Sequence, residues 1–392
     1  MLFLTAFITS SVMANPPISP DKLQAIADHY VQQYHDVEHM SGVTLTVVNS
    51  SGIPVTVYSG HTEFSGAQPV DATNLYQIGS ITKSFISAII LQLEATPEYH
   101  FSIDDKLSTY LPEYSAWGNI TIKQLLNMTS GIPDYLEQDS YRQDLANDPY
   151  RQWLPEEEVD YVAHLPLLFP PGTKWNYSNT NYILAGMIIS KLTGHTLEQE
   201  INNRFLASNN SSHLTLHNTY YVTHFYPREI APRMMHGYHF GGDIGKFIPL
   251  TADVTNFSLS YAGAAGAIVS NTTDVTQWIA ALLTPNKILP TKQLNELMTL
   301  VSMRTGRPLV TPNDQDRDGF GLGIGVAIPG ADLPGLIINY EGMTLGYRAQ
   351  YLYFKKKNLL IAGAVNSSVT DNDAEHNDHL TADLLIKAYL AQ

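Results

Sequence analysis

Apolar residues recur at helical spacing from Asp21 to Tyr34, which predicts a first helix after Pro16-Pro17. Val43–Val48 and Val55–Ser59 then alternate apolar and polar positions around Ser51-Gly52, the pattern of a β-hairpin. The next segment, GSITKSFISAIILQLE (Gly79–Glu94), is apolar almost all round. Ile81, Phe85, Ile86, Ala88, Ile89, Ile90, Leu91 and Leu93 leave hardly any polar face, so a buried helix is predicted, opening at Gly79-Ser80 and stopping before Pro97. From Phe101 to about His217 the pattern is mainly helical, broken by loops at Asn127–Asp134 and Phe169–Asn179. A well-formed helix spans Asn181–Leu192, with Gly194 at its stop.

Thr215–Ser260 is rich in Tyr, His, Gly and Pro and has no period, which predicts a loop-heavy cover over a cleft. Asp274–Leu283 is helical. Phe320–Ile328, Gly335–Asn339, Tyr347–Phe354 and Asn358–Val365 read as consecutive strands, and Leu380–Leu390 closes the chain as a helix. Strands at both ends with helices between predict an α/β (α+β) fold. One sheet is built from both termini, in a single domain over 20–390 with a helical region of about 101–217 inserted into it.

Composition narrows the function. The net charge is −15 and only 15% of residues are charged, which disfavours nucleic acid or an anionic membrane surface as partner. The chain has no cysteine, which excludes disulfides, thiolate metal sites and a cysteine nucleophile. Leu2–Val12 is too short to span a bilayer, and Val12-Met13-Ala14 offers small residues suited to signal-peptide cleavage, although a charged n-region is missing. Residues 1–14 are therefore expected to be a signal peptide and the protein periplasmic or secreted. No later run is apolar for long enough to cross a membrane.

One residue contradicts the buried helix. Lys83 sits in its first turn, three residues after Ser80 on the same side, where a cation opposes the helix dipole. A serine is a poor nucleophile until a neighbouring base takes its proton. Burial and the positive end of a helix both push a lysine toward the neutral form such a base needs. The same helix terminus aims backbone N–H groups at a developing oxyanion. The competing account makes Ser80 an N-cap and lets Lys83 snorkel to solvent. A second element, Tyr177-Ser178-Asn179, stands on a turn just before a helix. The phenol there can relay a proton and the amide can orient lysine and substrate; otherwise Tyr177 covers the core and Asn179 caps the helix.

Together these elements resemble the serine beta-lactamase and penicillin-binding protein superfamily. The branch is that of class C beta-lactamases, D-Ala-D-Ala carboxypeptidases, D-aminopeptidases and carboxylesterases. LLNMTSGIPDY (Leu125–Tyr135), FPPGTKWNYSNTNY, SYAGAAGAIVSNTTDVTQWIAALL (Ser260–Leu283) and GYRAQYLYFKKKNLLIAGAVN (Gly346–Asn366) carry the likeness in the family's order, over roughly residues 20 to 390. The resemblance implies a beta-lactamase/transpeptidase-like fold, with an antiparallel sheet flanked by helices and an active site in the cleft beside an all-helical region. It implies Ser80 as nucleophile, Lys83 as its activating partner, Tyr177 as general base and then acid, and Asn179 as substrate-positioning residue. Which group takes the serine's proton is disputed within the family. The implied oxyanion hole is the backbone N–H of Ser80 and of Met343, with Ser178 a bystander.

The family's third element is Lys-Thr-Gly, His-x-Gly or Trp-x-Gly on a strand edge. Here it reads Tyr340-Glu341-Gly342. Gly342 suits close approach of substrate to the backbone, but the cation is replaced by a phenol. That favours a neutral ester or amide over a beta-lactam or a carboxylate-bearing peptide. The expected protein is thus a serine hydrolase acting on an ester, a D-amino-acid peptide or, less readily, a beta-lactam, without metal or cofactor. Its expected partner is a small-molecule or peptidoglycan-derived peptide substrate, and it is expected to be a monomer. The alternative is a catalytically silent protein that binds cell-wall peptides.

Three further motifs are set aside. Asp314–Gly319 matches half an EF-hand loop, but the twelfth position is Gly325 and no helix follows. Asp371–His379 clusters acids with His376 and His379 and reads as an exposed loop. The glycines of Gly319–Gly325 lead into a strand, which excludes a dinucleotide loop. His236 and His239 are assigned surface or packing roles.

Overall fold

Ser19 caps the first helix, Pro20–Tyr34, accepting a hydrogen bond from the Lys22 N–H, with Pro20 in the first turn where its missing donor costs nothing. The structure, a computed structural model, describes residues 18–207, 214–240, 247–330, 333, 335–369 and 380–392. The expected signal segment 1–14 and the Asp371–His379 cluster lie outside them.

The hairpin forms as expected, with Gly42–Val48 paired antiparallel to Pro54–Gly60. Gly42–Val48 also pairs with Leu359–Val365, Val43 standing opposite Val365, so the first strands and the last join one sheet. That sheet has nine strands. From the hairpin edge it runs through Leu359–Val365, Arg348–Phe354, Ile337–Met343, Gly325–Ala327 and Asp318–Phe320, then Leu300–Ser302 and Pro308–Leu309. Its central strands are covered on both faces, which explains why LLIAGAV is an unbroken apolar run rather than an alternating one. Leu360, Ala362 and Ala364 enter the core shared with the helical region. Leu359, Ile361 and Val365 enter a second core with Leu23, Ala27 and Tyr30 of the first helix and Leu384, Leu385 and Ala388 of the last, Leu380–Leu390.

One expected strand is broken in two. Phe320–Ile328, read as a single strand, is two short strands, Asp318–Phe320 and Gly325–Ala327, paired so that Phe320 faces Gly325. The chain reverses between them through an Ile324 carbonyl that accepts from the Gly321 N–H at 2.9 Å. Gly323 in this turn has φ +80, and a Cβ there would stand 2.7 Å from Tyr182 Oη and 3.0 Å from the Lys83 carbonyl. The apolar run therefore breaks where the sheet touches the helix carrying Lys83.

Ile337–Met343 runs four residues beyond its expected end at Asn339. It pairs with Arg348–Phe354 through Met343, but with Gly325–Ala327 only through Asn339. Its Tyr340–Met343 half thus keeps one edge beyond that pairing, and Gly342 on this half packs against Ile78 and Ser80. The cover region, Thr215–Ser260, contains among its described residues the short strands Tyr220–Tyr221 and Tyr238–Phe240, the 3₁₀ turn Ala231–Arg233 and the start of another at Leu259. Tyr220–Tyr221 and Tyr76–Gln77 both pair with Ile268–Ser270 in a small sheet that leads directly into Gly79.

Candidate active site

Ser80 lies in a tight 3₁₀ turn, Gly79–Ile81, that runs into the helix Thr82–Ala95. Its hydroxyl makes no cap, and the capping account fails here. Ser80 Oγ stands instead 2.6 Å from Tyr177 Oη and 2.9 Å from Lys83 Nζ. Nor does Lys83 snorkel: its side chain is fully buried. Nζ donates to Asn179 Oδ1 and to the Ala265 carbonyl, each at 2.8 Å. Both of those oxygens can only accept, so they hold two of the N–H bonds on Nζ, and the remaining position on Nζ faces Ser80 Oγ. Burial pulls the lysine's pKa down to about 7, against a smaller upward pull from Asp134.

Asn179 heads the helix Thr180–Thr193 but does not cap it with its side chain. Its amide bridges Lys83 on one side and Asp134 on the other, where its backbone N–H and Nδ2 donate to Asp134 Oδ2 at 3.0 and 2.8 Å. Oδ1 of Asp134 accepts from the Leu136 N–H at 3.0 Å. Three N–H donors on one carboxyl are the pattern of an ionised carboxylate. They oppose the burial that raises its pKa. Asp134 is the functional residue that sequence reasoning missed. It closes LLNMTSGIPDY, but a buried acid behind an asparagine has no signal of its own. Ala265 was equally invisible, because it acts through its carbonyl. Ser178 donates to the Pro133 carbonyl at 3.2 Å and is fully buried away from Ser80, in keeping with a structural role.

Tyr177 has its pKa pushed up to about 12 by burial, although hydrogen bonds with Ser80 and Tyr340 work against the rise. Tyr340 replaces the expected cation, and its phenol donates to Tyr177 Oη across 3.5 Å. It is only 9% exposed and packs on Phe320, with ring centroids 5.6 Å apart; Phe320 in turn meets Trp175 at 5.7 Å. A neutral aromatic cluster thus occupies the place of a charge, and Tyr340 stands behind Tyr177 rather than open in the cleft.

Two glycines let the backbone around Ser80 meet the strand that carries Met343. A Cβ on Gly79, whose φ is +48, would fall 2.6 Å from the Met343 nitrogen. One on Gly342 would fall 1.9 Å from the Ile78 carbonyl and 2.8 Å from the Ser80 nitrogen. Only this mutual absence of side chains lets the Gly79–Ser80 and Gly342–Met343 backbones pack against each other beside the Ser80 hydroxyl. The Met343 side chain is 41% exposed beside them. His236 lies elsewhere, 2.7 Å from Asp253, and His239 is buried with Nδ1 3.2 Å from the Leu345 carbonyl. Asn313–Asp316 forms a turn, with Asp316 3.6 Å from Arg304.

A serine held against a buried lysine, with a tyrosine on the same oxygen, between an antiparallel sheet and a helical lobe, is a serine-hydrolase-like arrangement. The sequence profile described as Beta-lactamase matches residues 27–386, and the chain belongs to that family. A D-stereospecific amidohydrolase from Streptomyces sp. is similar at 26% identity, with a TM-score of 0.72 over 89% of this chain and 94% of that one. The D-amino acid amidase of Ochrobactrum anthropi SV3 shares the fold, with a TM-score of 0.76 and 23% identity over 95% and 97% of the two chains. Protein flp of Staphylococcus aureus strain COL is 29% identical over 211 residues, 52% of this chain and 39% of that protein. The matched region is thus well under half of that relative's length. No helix among the described residues is long and apolar enough to cross a membrane.

Proposed function

We propose that this protein is a serine hydrolase that forms an acyl-enzyme on Ser80 and acts on amides or esters of D-amino acids whose carboxyl is blocked. The observation that carries the reading is the buried Lys83, held by two carbonyl acceptors with its Nζ 2.9 Å from Ser80 Oγ. At pH 7 a lysine with a pKa of about 7 is half neutral. An ordinary lysine is neutral in only roughly one molecule in three thousand at that pH. Tyr177, raised to about 12, stays protonated at neutral pH. Lys83 is therefore the base in this reading and Tyr177 the relay and acid.

The Ser80 proton passes to Lys83 as Oγ bonds to the acyl carbon. The carbonyl oxygen becomes an oxyanion between the N–H groups of Ser80 and Met343. The C–N or C–O bond then breaks, with Tyr177 giving its proton to the departing amine or alcohol and taking one in turn from Lys83. Water attacks the acyl-enzyme by the same route in reverse. The neutral cluster around Tyr340 offers a substrate carboxylate no charge, which supports carboxyl-blocked substrates over D-Ala-D-Ala peptides and beta-lactams. The similar Streptomyces protein is described as a D-stereospecific amidohydrolase, which supports the D-amide class.

The test is a panel of D- and L-amino-acid amides, nitrophenyl esters, D-Ala-D-Ala peptides and nitrocefin, each run beside Ser80→Ala. The reading expects turnover of D-amides or esters that vanishes in Ser80→Ala. Saturable binding of a cell-wall peptide with no turnover of any member would replace it with a recognition role.

A further inference from the structure

A cavity of about 780 Å³ opens beside the Thr180–Thr193 helix, and none of Ser80, Lys83, Tyr177 or Asn179 lines it. We propose that it is a second ligand site, for a primary amine carrying an aryl or alkyl body, with the Glu158 carboxylate as counter-charge. Its volume falls within the range of small-molecule pockets. Trp153, Ile183 and Met187 supply an apolar wall, and Leu154, 53% exposed, stands at its rim.

Glu158 is the group that asks for a ligand. It lines the cavity yet is only 1% exposed. Oε1 accepts from the Tyr141 phenol at 3.4 Å, and Oε2 receives no hydrogen bond among the described residues. Gly263 leaves room beside it: a Cβ there would stand 3.6 Å from Oε2. A carboxylate removed from water with one long hydrogen bond is costly to charge, and its carboxyl is held well above the usual range by burial. An ammonium group in the cavity supplies the missing donor and the missing charge together.

The remaining charges agree in sign. Glu113, Glu156 and Glu198 also line the cavity, against the single lysine Lys191, while His195 is already engaged by Glu200 at 2.6 Å. An anionic ligand is disfavoured by that balance. The wall residue Ala264 precedes Ala265, whose carbonyl accepts from Lys83, so the cavity backs onto the lysine's support without sharing its polar groups.

Calorimetric titration of Ser80→Ala protein with phenylbutylamine and with phenylbutanol tests this independently of any hydrolytic activity. The amine should bind at least roughly tenfold tighter than the alcohol. Glu158→Gln should lower amine affinity about tenfold and leave the alcohol's unchanged, while Ser190→Trp, which fills the cavity, should abolish both. Equal binding of amine and alcohol, unchanged amine affinity in Glu158→Gln, or no binding at all would overturn the proposal. Should Glu158→Gln fail to fold, the amine-to-alcohol ratio and Ser190→Trp still decide it.

Discussion

Replacing Asp134 by Asn removes one buried negative charge while keeping the shape of the side chain, and its effect on Lys83 has a definite sign. The carboxylate reaches Lys83 through a single amide: Nζ to Asn179 Oδ1 is 2.8 Å, and Asn179 Nδ2 to Asp134 Oδ2 is 2.8 Å. With the width of the amide added, the charges are about 7 Å apart, which at an effective dielectric constant of about 20 is roughly 2 kcal/mol, or a change in pKa of about 1.5. Asp134 holds the lysine's pKa up. Its removal must lower that pKa further, so the neutral base appears at lower pH. The acid limb of kcat/KM, set in the wild type near pH 7, should move down by one unit or more in Asp134→Asn.

The maximal rate should fall at the same time, because one asparagine oxygen cannot accept all three N–H groups that now meet the carboxylate. The assay is the pH dependence of kcat/KM on a nitrophenyl ester, read beside a thermal melt to confirm folding. A limb that stays at pH 7, or rises, would refute the assignment of Lys83 as the titrating base.

Lys83→Met should cut kcat/KM by roughly 10²–10⁴ while leaving Ser80 in place, since it removes the base and strands the Asn179 and Ala265 oxygens. Tyr340→Lys should raise activity on D-Ala-D-Ala peptides relative to neutral esters by about fivefold, the difference of about 1 kcal/mol between a neutral and a charged hydrogen bond. An unchanged ratio removes Tyr340 as a selector. Gly342→Ala forces a Cβ to within 1.9 Å of the Ile78 carbonyl and should lower kcat by about 10² or more through the displaced Met343 N–H, measured by single-turnover acylation. Away from the site, Arg348→Met should cost roughly 3–5 kcal/mol in urea unfolding, because it leaves the buried Glu38 without its ion-pair partner.

The sequence made the Ser80–Lys83 pair legible because a cation in a wholly apolar first turn violates every local preference, and such a violation needs a cause. The hairpin, the buried helix and the last strands were legible for the opposite reason: their patterns have one clear period. The Phe320–Ile328 reversal was not, because Gly323 turns to meet Lys83 and Tyr182, and a tertiary contact leaves no period in the local sequence. The short strands Leu300–Ser302 and Pro308–Leu309 are too brief to show alternation. Asp134 and Ala265 stayed hidden because both act through another group, one through Asn179 and the other by its backbone. The altered third element was visible as Tyr340-Glu341-Gly342, but only the fold shows that the phenol addresses Tyr177.

The central claim is that Ser80 is a nucleophile activated by a neutral Lys83. Intact-protein and peptide mass spectrometry after fluorophosphonate treatment at pH 8 tests it most directly. The account predicts a single covalent adduct on the peptide containing Ser80, absent in Ser80→Ala and strongly slowed in Lys83→Met. No adduct on wild-type protein, or equal labelling of all three, would contradict it.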